Sequence, residues 1–131
     1  MKRTISLLLS LFTLVSFQFS YAATNTDPAV LAQPYSTPEL TWSLFKESIL
    51  KNDFDTAKKC CREGKADGVL KYKKMDTEKR KSIVQSMQEL EKIQLQENSA
   101  KYKLIRSANG KSFSTFVYFQ KIHNEWKIDN F

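Results

Sequence analysis

The stretch FSTFVYFQKIHNEWKIDNF, residues 113–131, decides the fold class. Phe113, Thr115, Val117 and Phe119 alternate with Ser114, Phe116 and Tyr118, the period of two that a pleated strand imposes. Aromatic and β-branched residues occupy both faces, as strands prefer. His123-Asn124 reads as a turn, because Asn tolerates positive φ. Glu125 to Phe131 then forms a final strand, with Trp126 and Ile128 on one buried face and Asp129 on the other.

Working back from this hairpin, Asn109-Gly110 is a strong two-residue turn signal. The segment before it, with Tyr102, Leu104 and Arg106 alternating with Lys103 and Ile105, is therefore predicted to pair with residues 113–121. Glu97-Asn98-Ser99 makes an earlier turn. Ile93 and Leu95, alternating with Gln94 and Gln96, predict one more strand from about Glu91.

Upstream of Glu91 the period lengthens to that of a helix. Thr37 is placed to cap, Pro38 suits a first helical position, and Glu39 complements the dipole. Trp42, Phe45 and Ile49 then fall at i, i+3 and i+7, with Leu40 and Leu44 widening the stripe. Asn52-Asp53 ends this helix and starts a short second one, with Phe54, Ala57 and Cys61 on one face and Gly64 and Gly68 breaking it. Val69 to Met75 reads as a helical turn or two. Asp76 caps a third helix, whose apolar stripe is Ile83, Val84, Met87 and Leu90 and whose Lys79, Arg80 and Lys81 face water. Helices followed by an antiparallel meander argue for an α+β domain, its N-terminal helices packed on one face of a curved sheet.

The first 22 residues read as a cleavable signal peptide. Lys2 and Arg3 form the positive start, Ile5 to Phe19 is apolar, and Ser20-Tyr21-Ala22 offers small residues for cleavage after Ala22. The apolar run is shorter than the ~20 residues that span a bilayer, and Ser6, Ser10, Thr13, Ser16 and Gln18 dilute it, so no membrane span is expected. Export to the periplasm or the exterior follows. Residues 23–36, polar and carrying Pro28 and Pro34, read as a tether, and residues 37–131 suffice for one domain. Of 21 basic and 14 acidic residues the signal removes Lys2 and Arg3, which leaves a basic excess of five. A basic exported protein meets anionic envelope components more readily than nucleic acid.

The Thr37-Pro38-Glu39 opening, the aromatic amphipathic helix and the Asp53-Phe54-Asp55 start of the second helix form a distinctive order. It ends with residues 116–121, a tight turn and residues 125–131. Together they resemble exported bacterial members of the nuclear transport factor two-like superfamily. The resemblance covers nearly all of residues 37–131 and is sharpest in the C-terminal hairpin. It implies a cone-shaped, cystatin-like arrangement of helices on a strongly curved antiparallel sheet. It does not imply one activity, since the superfamily holds isomerases, dehydratases, ligand-binding domains and assembly modules. Its catalytic members place an acidic or histidine base inside the cone, and no motif here matches theirs. His123-Asn124 also stands where glycine is usual at the last turn.

Candidate chemistry is sparse. His123, the only histidine, falls at a hairpin tip with no cysteine or carboxylate at ligand spacing, so neither a metal site nor a cofactor is expected. Adjacent Cys60 and Cys61 point about 100° apart on a helix, which strains a bond between them. Cys61 is expected in the core beside Phe54 and Ala57, with Cys60 partly exposed. An intermolecular or vicinal disulfide ranks second and redox catalysis third. The cluster Lys71, Lys73, Lys74, Lys79, Arg80 and Lys81 reads first as a solvated face and second as a site for anionic lipid or polymer. Trp42, Phe45, Tyr102, Thr115 and Tyr118 are the candidates for lining a pocket that holds a small apolar ligand. Asp129 and Glu97 are the strand-region acids available to an isomerase-type site. The leading expectation is thus a non-enzymatic exported domain that binds a small ligand, an envelope polymer or a protein. The alternatives are a small isomerase or dehydratase using the cone cavity, and an assembly module that forms a homodimer through its sheet face.

Overall fold

The computed structural model describes residues 33–131, so residues 1–22, read from sequence as a signal peptide, and residues 23–32 of the expected tether lie outside the described residues. Four helices precede four strands: α1 (Pro38–Leu50), α2 (Phe54–Lys59), α3 (Asp67–Lys74), α4 (Thr77–Ser86), then β1 (Met87–Leu95), β2 (Ser99–Ala108), β3 (Lys111–Ile122) and β4 (Glu125–Asn130). The strands form one antiparallel meander in the order β1-β2-β3-β4. The chain is an α+β protein.

Local chemistry sets the element ends. The Thr37 hydroxyl accepts from the Leu40 N–H at 3.2 Å and starts α1. Asn52, at φ +63, closes α1: the Asp53 N–H donates to Ser48 O and the Asn52 N–H to Ile49 O, the paired bonds of a Schellman cap. Asp53 then caps α2 by accepting from the Thr56 N–H, and Asp76 caps α4 by accepting from the Lys79 N–H. The β2–β3 and β3–β4 hairpins each turn on two consecutive left-handed residues, Asn109-Gly110 and His123-Asn124, a geometry whose twist matches that of the strands.

The helices cover one face of the sheet. Phe45 and Ile49 of α1 are fully buried with Tyr102 and Leu104 of β2, Val117 and Phe119 of β3, and Ile128 of β4. Trp42 stacks on Phe45 at 5.5 Å between ring centroids, and Phe131 meets both rings edge-on at 5.6 and 5.2 Å. Each such side chain contributes roughly 1.5–3 kcal/mol by leaving water. The buried Thr41 hydroxyl lies 2.9 Å from Trp126 O and fastens α1 to β4. The outer edge of β4 is also covered. Its Trp126 N–H donates to Tyr35 O and its Ile128 N–H to Cys60 O, while the Arg62 N–H donates to Ile128 O. Tyr35, read from sequence as tether, is therefore tied to the sheet.

Four sequence expectations are corrected. Gly68 does not break a helix; it lies in the first turn of α3. Met87 and Leu90 belong to β1, not to the stripe of the preceding helix. A register shift between them lets residues three apart pair with Arg106 and Leu104 on the same face, which reproduces a helical spacing within a strand. Arg80 is 5% exposed instead of facing water, because its guanidinium answers the C-terminal carbonyls of α3. Cys60 is fully buried at the end of α2, where its carbonyl accepts from the Ile128 N–H of β4.

Candidate functional site

The five residues expected to line one pocket do not come together. Trp42, Phe45 and Tyr102 are core residues on the helix-covered side. Thr115, half-buried, pairs with Leu104 farther along β3. Tyr118 lies between the buried Val117 and Phe119 and so projects from the opposite, uncovered face, where Phe116 is also exposed. There the Lys101 ammonium sits 4.0 Å from the Phe116 ring centroid and 5.7 Å from that of Tyr118.

The missed neighbour of Tyr102 is Glu39. The Tyr102 hydroxyl donates to the Glu39 carboxylate at 2.6 Å, and Lys92 Nζ stands 3.6 Å from the same oxygen. Partial burial acts to raise the Glu39 pKa, but the bond from Tyr102, a backbone hydrogen bond and Lys92 together bring it below the usual value. Burial, with the carboxylate beside it, pushes the Tyr102 phenol far up. The Glu39 carboxyl is thus shifted opposite to the raised-pKa acid expected from sequence for an isomerase-type site. The two acids nominated from sequence fare no better. Asp129 is paired with Arg62, and Glu97 is exposed in the turn after β1.

The cysteines are free and buried. Burial raises Cys60 to about 12 and Cys61 to about 11, so neither is a thiolate near neutrality. His123 is exposed in its turn, as expected. Among the described residues no group of three or more His, Cys, Asp or Glu side chains is placed to hold a metal ion.

The residues that do converge are different ones. Between α3, α4 and the end of β2 lies a groove of about 350 Å³, lined by Lys65, Gly68, Lys71, Tyr72, Met75, Ile83, Arg106 and Phe131. Each arrives for a local reason. Val69 and Tyr72 face the core and rotate Gly68 and Lys71 onto the groove flank of α3. Arg106 continues the inward alternation of Tyr102 and Leu104 toward the end of β2, where it is half-buried. Its guanidinium lies beside the Tyr72 phenol, whose pKa burial raises against the opposing pull of Arg106. The Nε donor of Arg106 is buried with no protein acceptor.

The wall is one-sided in charge. Lys65, Lys71 and Arg106 line it, no Asp or Glu side chain does, and among the described residues none of the three forms a salt bridge with an acidic side chain. Met75, Ile83 and Phe131 supply apolar surface next to them. Sequence reading assigned Lys71 to a solvated basic cluster and passed over Arg106. The available signal was that Arg106 shares an alternating face with two core residues. The rest of that cluster disperses: Lys73, Lys74, Lys79 and Lys81 are solvated and Arg80 is internal.

Among the described residues no helix is long and apolar enough to cross a membrane. Comparison of the chain with protein-family models, with curated proteins and with solved structures finds no match.

Proposed function

We propose that this chain is an exported, non-enzymatic domain that binds a small anionic molecule in the groove between α3, α4 and β2. One observation carries the reading. Three cations line a concave wall that has no Asp or Glu side chain to neutralise them, and the innermost, Arg106, keeps a buried donor without an acceptor. Like charges gathered on one wall repel, and an arriving anion relieves that repulsion. The Glu39 carboxyl held below its usual value and the two buried thiols held above theirs support binding over catalysis. Export rests on the signal-like residues 1–22. The order of helices followed by a four-stranded antiparallel meander supports a nuclear transport factor two-like fold.

The test is calorimetric titration of the purified protein with octanoate and with octanol, in the native protein and in Arg106→Gln and Lys71→Gln. Octanoate is expected to bind, to weaken with added salt, and to lose about tenfold or more in affinity in Arg106→Gln. Equal binding of octanol, or indifference to both substitutions, refutes the anionic reading.

A second reading is self-association through the uncovered sheet face, favoured by Phe116 and Tyr118, which are 44% and 38% exposed there. Sedimentation of the native protein and of Phe116→Ser distinguishes it: a dimer that the substitution dissolves supports assembly, and a monomer excludes it.

A further inference from the structure

The face of the sheet that the helices leave open carries a second concavity, of about 340 Å³. Alternation along β2 and β3 makes it. Ala100 and Phe119 turn inward and are buried, so Ser99, Lys101, Tyr118 and Gln120 project outward, with Lys101 opposite Tyr118 and Ser99 opposite Gln120. Gln94 of β1 and Asp129 of β4 complete the lining from either side. The Lys101 ammonium sits 4.0 Å from the Phe116 ring centroid and farther from that of Tyr118, at 5.7 Å. It is Tyr118 whose ring lines the concavity.

The charges around this face are already matched. Lys103 pairs with Glu91 at 3.3 Å, Lys127 with Glu125 at 2.8 Å, and Asp129 with Arg62. Lys101 has no acidic partner among the described residues and rests its charge on the two aromatic rings. An anionic polymer or membrane therefore meets little free positive charge here. A dry protein interface would strip water from the Gln94 and Gln120 amides without assuring them partners. An uncharged polyol suits both facts. Its hydroxyl groups donate and accept, as the amides do, and the C–H face of a sugar ring packs on an aromatic face. Independently of the groove at Arg106, we infer that this face binds an uncharged oligosaccharide. One sugar ring lies on Tyr118, and its hydroxyl groups meet Gln94, Gln120, Lys101 and Asp129.

The inference is tested by following backbone amide shifts in nuclear magnetic resonance while the purified protein is titrated with four probes. Cellohexaose, maltohexaose and N-acetylchitohexaose are uncharged, and hexagalacturonate is the charged comparison. At least one uncharged probe is expected to bind and to shift amides at residues 99–101 and 118–120. Tyr118→Ala should weaken that binding by about tenfold or more, and Tyr118→Phe, which keeps the ring, by no more than about threefold. Gln120→Ala should weaken it by about threefold or more, and decides the matter should Tyr118→Ala melt early. Arg106→Gln is expected to leave sugar binding unchanged, so this face and the anion groove stand or fall separately. Binding of no uncharged probe overturns the inference, as does undiminished binding in both Tyr118→Ala and Gln120→Ala. Shifts confined to residues outside this face overturn it too. Tighter binding of hexagalacturonate than of every uncharged probe assigns the face to an anionic polymer instead. A native dimer that Phe116→Ser dissolves assigns it to a second copy of the chain, and either result removes the sugar site.

Discussion

The Tyr102 hydroxyl donates a 2.6 Å hydrogen bond to the Glu39 carboxylate, joining the middle of β2 to the first turn of α1. The two residues are 63 positions apart, so the bond closes the sheet against the helix that covers it. Glu39 also stands at the positive end of the α1 dipole and near Lys92. Tyr102→Phe removes the donor and keeps the ring that packs edge-on against Phe119 at 5.5 Å. It is expected to cost about 1–2 kcal/mol, a hydrogen bond to a charged group. The pH dependence has a definite sign. Glu39 has a lowered pKa in the folded chain, so its contribution is present above the unfolded carboxyl value near 4.5 and is lost as pH falls through the folded one. Urea unfolding between pH 3 and pH 7 is the measurement. The gap between native protein and Tyr102→Phe should narrow toward the acid end, and a constant gap would show that the bond is not to the ionised carboxylate.

Arg80 is the second polar group buried for architecture. Its guanidinium donates to Tyr72 O at 3.1 Å and to Met75 O at 3.3 Å, reaches Asn52 Oδ1, and stacks over the Phe54 ring at 5.2 Å. One side chain on α4 thereby satisfies carbonyls at the end of α3 and ties both to the α1–α2 corner. Arg80→Met leaves those acceptors unpaired and is expected to destabilise by about 2–4 kcal/mol. Arg80→Lys should recover only part of the loss, because an ammonium cannot reproduce the planar fork. Denaturant midpoints of the three proteins decide this. A lysine variant as stable as the native protein would mean that the charge, not the fork, is what α3 needs.

What was legible in the sequence followed from local chemistry. The caps at Thr37, Asp53 and Asp76 and the Asn109-Gly110 and His123-Asn124 turns are decided by residues within a few positions of one another. So is the alternation of β2, β3 and β4. The faults arose where a tertiary partner overrides the pattern. Met87 and Leu90 keep a helical spacing because a bulge in β1 mimics it, and a bulge is visible only against the paired strand. Arg80 resembles its lysine neighbours until the carbonyls it serves are in place. The expected pocket failed for a related reason. Aromatic residues were abundant enough to suggest a lined cavity, but Trp42, Phe45 and Tyr102 are used up in packing against one another and Phe119 or Phe131. The groove forms where the aromatic core stops, at a residue whose inward direction could be read and whose charge argued against reading it so: Arg106.

Both thiols should be inert in the folded protein. Burial holds Cys60 and Cys61 well above neutrality, at about 12 and about 11, and Cys61 Sγ lies 3.6 Å from Ala57 O inside the core. At pH 8 iodoacetamide is expected to modify neither residue in native protein and both in urea, read by mass spectrometry. Cys60→Ser should cost about 1–3 kcal/mol, since a hydroxyl replaces a thiol in a fully buried place. Rapid labelling of native protein would show that α2 opens away from β4.

Lys71 separates binding from folding most cleanly, because its side chain is exposed and serves no ion pair among the described residues. Lys71→Gln removes one of three like charges around the groove. The free protein is therefore expected to keep its stability within about 0.5 kcal/mol, or to gain slightly from reduced repulsion. The liganded protein should behave differently. A ligand present at 100 times its dissociation constant stabilises the native state by about 2.7 kcal/mol. At the same ligand concentration a threefold weaker variant gains about 0.6 kcal/mol less, by the same relation. Melting curves with and without octanoate, run for both proteins, expose this as a gap that appears only when ligand is added. A gap of equal size without ligand would make Lys71 a structural residue, and no gap in either condition would exclude it from the anion's surroundings.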